Sequence, residues 1–454
     1  MNTRRQFLIQ APLGLIGAVA ACNGGGNTGE QTPGTPKAGT SSTTPGAPPA
    51  FNTAPPVGPD VAVTTFAEAE KLAQVSMTDA ERRMAAGSWR TSMAPLLERR
   101  AGPRKIALEP TLAPATRWEP ASVAGAPAEP RADRFVRTRV DPGPLPADDA
   151  AIAYAPVTSL ARWIETRALT SERLTKIYLD RIARFDSKLR CVITRTPDVA
   201  LAAARRADAE IAAGRYRGPL HGIPYGVKDL LDTAGIATTY GAEPFRDRVP
   251  TADSAVVKRL NDAGAVLIAK LSMGALALND IWFGGQTMNP WLLQEGASGS
   301  SAGPGAATAA GLVGFSIGSE TGGSIVSPSM RCGVTGLRPT YGRVPRSGAM
   351  TLCWSLDKLG PMTRGVEDAM LVLRAIGGPD AGDVASVPAH LDFDAAAPVK
   401  GLRVGYVPAW MKEAPATDVD RAALDALGRL GLVATPIALP DWPYDSLNLI
   451  LFAE

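Results

Sequence analysis

Two serine-bearing glycine loops lie close together in this sequence: Ser298-Gly299-Ser300-Ser301 and Thr321-Gly322-Gly323-Ser324. Glycine admits positive φ and a close approach of backbone to ligand, because no Cβ intervenes. Ser324 can therefore hold its hydroxyl beside the N–H groups of its own loop. A nucleophile next to oxyanion donors is what acyl transfer requires. Gly/Ser-rich sequence is elsewhere a flexible spacer. Here the apolar run 312–317 has the length of a buried strand, and 304–310 reads as a helix with Pro304 in its first turn. The two loops are thus held between core elements.

A third candidate is Lys228, which closes the segment Gly222-Ile223-Pro224-Tyr225-Gly226-Val227-Lys228-Asp229. It follows apolar residues in a Gly/Pro-rich frame, a setting for a buried side chain. Burial lowers a lysine pKa and populates the neutral amine, which can act as a general base. A relay then becomes available: Lys228 takes a proton from Ser300, Ser300 takes one from Ser324, and Ser324 attacks a carbonyl. The N–H groups of Thr321, Gly322, Gly323 and Ser324 would hold the oxyanion. The bland alternative for Lys228 is a surface lysine paired with Asp229 or Asp232.

A rival chemistry is written over the first loop. Gly299-Ser300-Ser301-Ala302-Gly303 satisfies G-x-S-x-G, with Ser301 as nucleophile, His390 as base, Asp380 or Asp383 as acid, and an esterase of the α/β-hydrolase type as the result. Such an elbow needs a strong strand before it, and 291–296 has no β-branched residue. The surroundings of His390 read as loop. The other of the two histidines, His221, reads as a turn residue bonded to backbone.

The positioning elements follow from pattern. Thr170-Ser171-Glu172 starts a helix with Leu174, Ile177, Tyr178 and Ile182 on one face. A strand at 191–194, a helix at 198–213 stopped by Gly214, a helix at 255–260 and a strand at 265–269 come next. A helix at 366–376, a strand at 402–407 and a helix at 419–430 keep the alternation going, which predicts an α/β sandwich. Before this core, 61–87 has helical spacing, and 88–149 is irregular, rich in proline, with Trp89 and Trp118.

At 454 residues, 45% apolar and 20% charged, the composition is that of a soluble globular protein. A net charge of +3 gives no reason to propose nucleic acid as a partner. The four cysteines form no C-x-x-C pair, so neither a disulfide framework nor a zinc site is indicated. The first 22 residues read as an export signal: Arg4-Arg5 in a twin-arginine setting, an apolar run too short to cross a membrane, then Val19-Ala20-Ala21-Cys22. Cys22 is expected to be lipidated, placing the protein in the periplasm or on a membrane by its anchor. Residues 23–60 read as a disordered tether. The expected organisation is a signal at 1–22, the tether at 23–60, a helical arm at 61–153 and the catalytic domain at 154–454. The apolar run 447–453 has only Glu454 after it, so that domain is expected to be incomplete.

Four motifs in order resemble the amidase signature family: the segment 222–229; Gly299-Ser300-Ser301-Ala302-Gly303; Thr321-Gly322-Gly323-Ser324-Ile325; and Cys332-Gly333-Val334-Thr335-Gly336-Leu337-Arg338-Pro339-Thr340-Tyr341-Gly342-Arg343. The resemblance runs from about Tyr154 onward. It implies an α/β/α domain on a mixed sheet, hydrolysis of a C–N amide bond of a small molecule, and no metal or cofactor. It also implies a triad with Lys228 as base, Ser300 as bridging serine on a cis peptide and Ser324 as nucleophile. The chain departs from the family with Glu320 where Asp is frequent and Val326 where Arg is frequent, and members usually continue well past residue 454. The family's branch acting on mischarged tRNA does not suit an exported chain. A truncated, non-catalytic lipoprotein is the alternative of a different class.

Overall fold

The computed structural model describes residues 56–102, 105, 133–139, 141–388, 390–412, 417–439 and 446. The export signal with Cys22, the tether as far as residue 55, Trp118 and the run 447–454 lie outside the described residues. The contacts gather into two compact units, one within residues 113–397 and the other within residues 1–112 and 398–454.

The larger unit is built on six strands: β1 (Val192–Arg195), β2 (Pro224–Lys228), β3 (Val266–Leu271), β4 (Phe315–Glu320), β5 (Thr335–Gly336) and β6 (Lys358–Thr363). Their order is β5–β6–β4–β2–β3–β1. β2 runs parallel to both β3 and β4, while β1, β5 and β6 pair antiparallel, so the sheet is mixed. Every residue of β2, β3, β4 and β6 is buried. Helices on the faces cover such strands, and helices α1 (Ser171–Leu189), α2 (Pro197–Ala212), α3 (Ala255–Asp262), α4 (Ala302–Ala309), α5 (Val326–Cys332) and α6 (Val366–Ile376) belong to the same unit. The expected face of α1 is in the core: Leu174, Ile177, Tyr178 and Ile182 are all buried, and Thr170 caps the helix by accepting from the Arg173 amide. Tyr225 of β2 stacks on Phe315 of β4, with ring centroids 5.4 Å apart.

Three arginines satisfy carbonyls that the helix ends leave open. Arg181 donates to the carbonyls of Ala310 and Gly311, just after α4. Arg364 donates to those of Thr308, Val313, Tyr154 and Ala155. Arg259 donates to the carbonyls of Ile376, Gly377, Gly378 and Pro379 at the end of α6. These bonds fix the elements on either side of the two serine loops without spending apolar surface.

The smaller unit contains helices Val63–Ala73, Asp79–Ser92 and Ala94–Ala101, and the parallel strands Arg403–Tyr406 and Val433–Pro436 joined through Asp418–Arg429. Among the described residues no helix is long and apolar enough to cross a membrane.

Three local expectations need correction. The helix expected across 61–87 is two helices, because Gln74 turns left-handed at φ 54° and Thr78 forms a capping box with Glu81. The stretch 88–149 holds a strand, Arg134–Val136, which pairs with Asp392–Asp394 through Phe135 on Phe393 and Arg134 on both aspartates. The strand expected at 312–317 begins later, at Phe315, because Gly311 turns at φ 63° and Leu312 and Val313 are buried in the turn.

α4 consists of small residues, all buried, and it approaches neighbouring backbone closely. A Cβ on Gly303 would meet the Ser272 amide nitrogen and would lie 2.5 Å from the Cys191 carbonyl oxygen. Neither backbone atom can swing aside. Gly303→Ala is therefore expected to destabilise the protein by about 2–4 kcal/mol, read as a lower melting temperature or loss of soluble protein. A variant melting within about 1 °C of the parent would show that the helix has room to shift.

Candidate active site

Parallel strands β2, β3 and β4 end at one edge of the sheet, the place where open α/β sheets bind ligands. Lys228 is the last residue of β2, and Ser319 and Glu320 are the last two of β4. Lys228 is fully buried, and its Nζ lies 2.7 Å from Ser300 Oγ and 2.8 Å from Ser319 Oγ. Burial lowers its pKa to about 7, against the opposing pull of the Glu320 and Asp357 carboxylates. A lysine so placed is neutral in a substantial fraction at neutral pH. The alternative of a surface lysine is overturned: Asp229 pairs with Lys270 at 3.2 Å, both fully buried, and Asp232 pairs with Arg248.

The Gly299–Ser300 peptide is cis. The loop is tied down on each side, with Ser298 Oγ 2.6 Å from Ser327 Oγ and the Ser301 amide donating to the Ser324 carbonyl at 3.1 Å. The second bond joins the two serine loops one residue away from Ser300. Ser324 is half-buried, and its hydroxyl is bonded to no described residue. The amides of Gly322, Gly323 and Ser324 likewise donate to no described group. Gly323 sits at φ 128°, a conformation that only glycine takes without strain. Thr321 is anchored instead, its hydroxyl donating to Asp357 Oδ1 at 2.5 Å.

Glu320 shapes this loop from below; the sequence marks it as a departure from the family that bears on packing behind the loop, but not the bonds it makes there. It is fully buried, and its Oε2 accepts from the amides of Ile325 and Val326, closing residues 320–326 into a ring that carries Ser324. The readable signal was a carboxylate just before a glycine turn and a following helix, a position that favours N-terminal amides. Asp357 works from the other side: Oδ2 accepts from the Leu352 and Cys353 amides while Oδ1 holds Thr321.

A cleft of about 180 Å³ opens beside these groups. It touches Ser319 and Thr321, and its walls include Leu230, Met350, Leu352, Trp354 and the pair Arg346–Asp383.

The elbow built on Ser301 and His390 is not assembled. Ser301 is fully buried, donating to the Ser319 carbonyl and accepting from the Ser319 amide. The preceding element, Leu292–Gly296, belongs to a two-stranded ribbon with Met288–Asn289 rather than to the central sheet. His390 is exposed, Asp383 is held by Arg346, and Asp380 accepts from Ser347. His221 is the turn residue expected: its Nδ1 accepts from the Arg217 amide, its Nε2 lies 3.2 Å from Glu210, and burial lowers its pKa.

The description "Amidase" belongs to the family model that matches residues 173–450. The chain is 41% identical over 303 residues to a glutamyl-tRNA(Gln) amidotransferase subunit of Moorella thermoacetica, covering 64% of this chain and 62% of that one. It is 48% identical over 237 residues to the Mycobacterium tuberculosis protein AmiD, covering 52% and 50%. The structure of native peptide amidase from Stenotrophomonas maltophilia superposes with a TM-score of 0.60 at 38% identity, over 63% of this chain and 62% of that one. The chain thus spans between half and two thirds of the length of each of these proteins.

Removing the Glu320 carboxylate should open the loop. Glu320→Ala leaves the Ile325 and Val326 amides without their acceptor, with an expected loss of about 1–3 kcal/mol. Hydrogen exchange at these two amides should quicken by about tenfold or more. Unchanged exchange would mean that Thr321 and Asp357 hold the loop by themselves.

Proposed function

Because this chain belongs to the amidase family, we propose that it hydrolyses a carbon–nitrogen amide bond, with Ser324 as nucleophile, Ser300 as bridging hydroxyl and Lys228 as base. The observation that carries this reading is the buried Lys228 amine, 2.7 Å from Ser300 Oγ, with its pKa lowered to about 7. One Lys228 N–H is directed to Ser319, which leaves the lone pair of the neutral amine for the Ser300 proton. As Ser324 Oγ bonds to the amide carbon, its proton passes to Ser300 and that of Ser300 passes to Lys228. The oxyanion draws on the unpartnered amides of Gly322, Gly323 and Ser324, with Thr321 starting the same loop. Collapse of the tetrahedral intermediate breaks the C–N bond, and the protons return along the relay to the departing amine. Water then takes the place of the amine, releases the acid from Ser324 and restores the hydroxyl.

The same reading takes the substrate as a small-molecule amide, and the protein as exported, with Cys22 as its lipid anchor. The amidotransferase relative suggests a tRNA-directed role. The twin-arginine signal and the near-neutral charge of +3 stand against it.

Fluorophosphonate labelling followed by peptide mass spectrometry should place the adduct on Ser324. Lys228→Ala and Ser324→Ala should each lower amide turnover by about 10³-fold or more, while His390→Ala stays within about twofold of the parent. An adduct on Ser301, or a dead histidine variant beside an active lysine variant, would overturn the assignment.

The pH profile follows from the lysine. The base must be neutral, and a group with its pKa near 7 is progressively protonated below that pH. kcat/KM should therefore fall about tenfold per pH unit on the acid side of about pH 7. A flat profile down to about pH 5 would exclude Lys228 as the base.

A further inference from the structure

The charges lining the cleft beside the serine loops are already committed to one another. Arg346 is nearly buried; its Nε and one terminal nitrogen bond the two oxygens of Asp383 at 2.9 Å each, and its other terminal nitrogen donates to the Trp354 carbonyl at 2.6 Å. Asp383 also accepts from the backbone amides of Arg346 and Ala385. Asp357 spends one oxygen on the Thr321 hydroxyl and the other on two backbone amides. The remaining wall is apolar where it meets Leu230, Met350, Leu352 and Leu359. A ligand charge entering here would lose its water and gain no free counter-charge, an arrangement that excludes charged groups more than it attracts neutral ones.

The position of the cleft says which part of a substrate it meets. It touches Ser319, which bonds Lys228, and Thr321, which begins the loop carrying Ser324. Where the substrate is a primary amide, only ammonia leaves, and its acyl substituent is then the part that meets this space. The volume of about 180 Å³ is that of a side group of roughly one aromatic ring or a short branched chain.

We propose that, among primary amides, the cleft selects those whose acyl substituent is uncharged, and that the Arg346–Asp383 pair enforces this by cancelling the one guanidinium on its wall among the described residues. The proposal rests on the amide-hydrolase reading above. The Arg346 bonds hold Asp383 ionised down to about pH 2, so the cancellation persists at any working pH. Breaking the pair from either side should therefore release a charge of known sign. Asp383→Asn frees the guanidinium for a substrate carboxylate, and Arg346→Met frees a carboxylate for a substrate ammonium.

The test compares kcat/KM of the full chain for three amides of similar size: 4-methylpentanamide, succinamate and 4-aminobutanamide. The unmodified protein should favour 4-methylpentanamide over both charged amides by about 100-fold or more. Asp383→Asn should narrow the gap to succinamate by about tenfold or more, and Arg346→Met the gap to 4-aminobutanamide similarly. Should one variant fail to fold, the other still reads a released charge. Rates within about threefold across the three amides, or a preference for either charged one, would overturn the proposal. Fluorophosphonate labelling separates the two levels of the argument. Ser324 labelled with no discrimination by charge defeats only the selectivity. No label and no turnover of any of the three defeats the amide-hydrolase reading, and the selectivity falls with it.

Discussion

The burial of one amine governs the layout of the larger unit. Moving the Lys228 pKa from 10.5 to about 7 corresponds to roughly 5 kcal/mol disfavouring the charged form. An amine tolerates such a place only where hydroxyls satisfy it, and Ser300 and Ser319 do so at 2.7 and 2.8 Å. The side chain therefore has to end a central strand, next to a second strand that also ends there. The parallel pairing of β2 and β4 meets that demand, with Val227 opposite Ile317 in register. β2 lies between β3 and β4, and every residue of the three strands is buried, which supplies the dry surroundings on which the low pKa depends.

Around this amine the polar groups are sorted by whether they hold structure or stay available. Lys270 and Asp229, fully buried, absorb each other and fasten the turn at Thr238 and Thr239. Glu320 and Asp357 absorb backbone amides and a hydroxyl on either side of the glycine turn. With these bonds made, the Ser324 hydroxyl, three successive amides and the second Glu320 oxygen are left without a partner among the described residues of the loop. The proposed nucleophile and oxyanion donors come from this remainder.

The residues of the candidate site were legible as a set because they sit in short glycine-framed segments whose conformational demands are local, and the structure brings Lys228 and Ser300 together. The helix α1 was legible for a related reason, since its Thr170 cap and its apolar periodicity lie within a few residues of each other. What escaped depends on distant pairing. Strand Arg134–Val136 has no recognisable pattern by itself and exists because Asp392–Asp394 lies beside it. The structural part of Glu320 escaped because its oxygens reach across a turn, a distance that residue spacing does not encode. The split of the first helix at Gln74 was readable in principle, from the Thr78–Glu81 capping box, and was overridden by apolar spacing that continued through it.

The two serine-based readings of the first loop separate on one physical question, the fate of each hydroxyl. Ser300 and Ser301 are adjacent, and motif matching alone favours Ser301, the central residue of G-x-S-x-G. Adjacent residues in an extended turn point apart, so one can face the lysine only if the other faces away. Ser301 faces away: its hydroxyl is locked to the Ser319 backbone, where it braces β4 against the start of α4. That brace fixes the neighbouring Ser300 against Lys228 and, through the Ser301 amide, draws the Ser324 carbonyl onto the same turn. The residue that the motif marks as nucleophile is therefore the one that positions the other two, and its own hydroxyl has no freedom left to react.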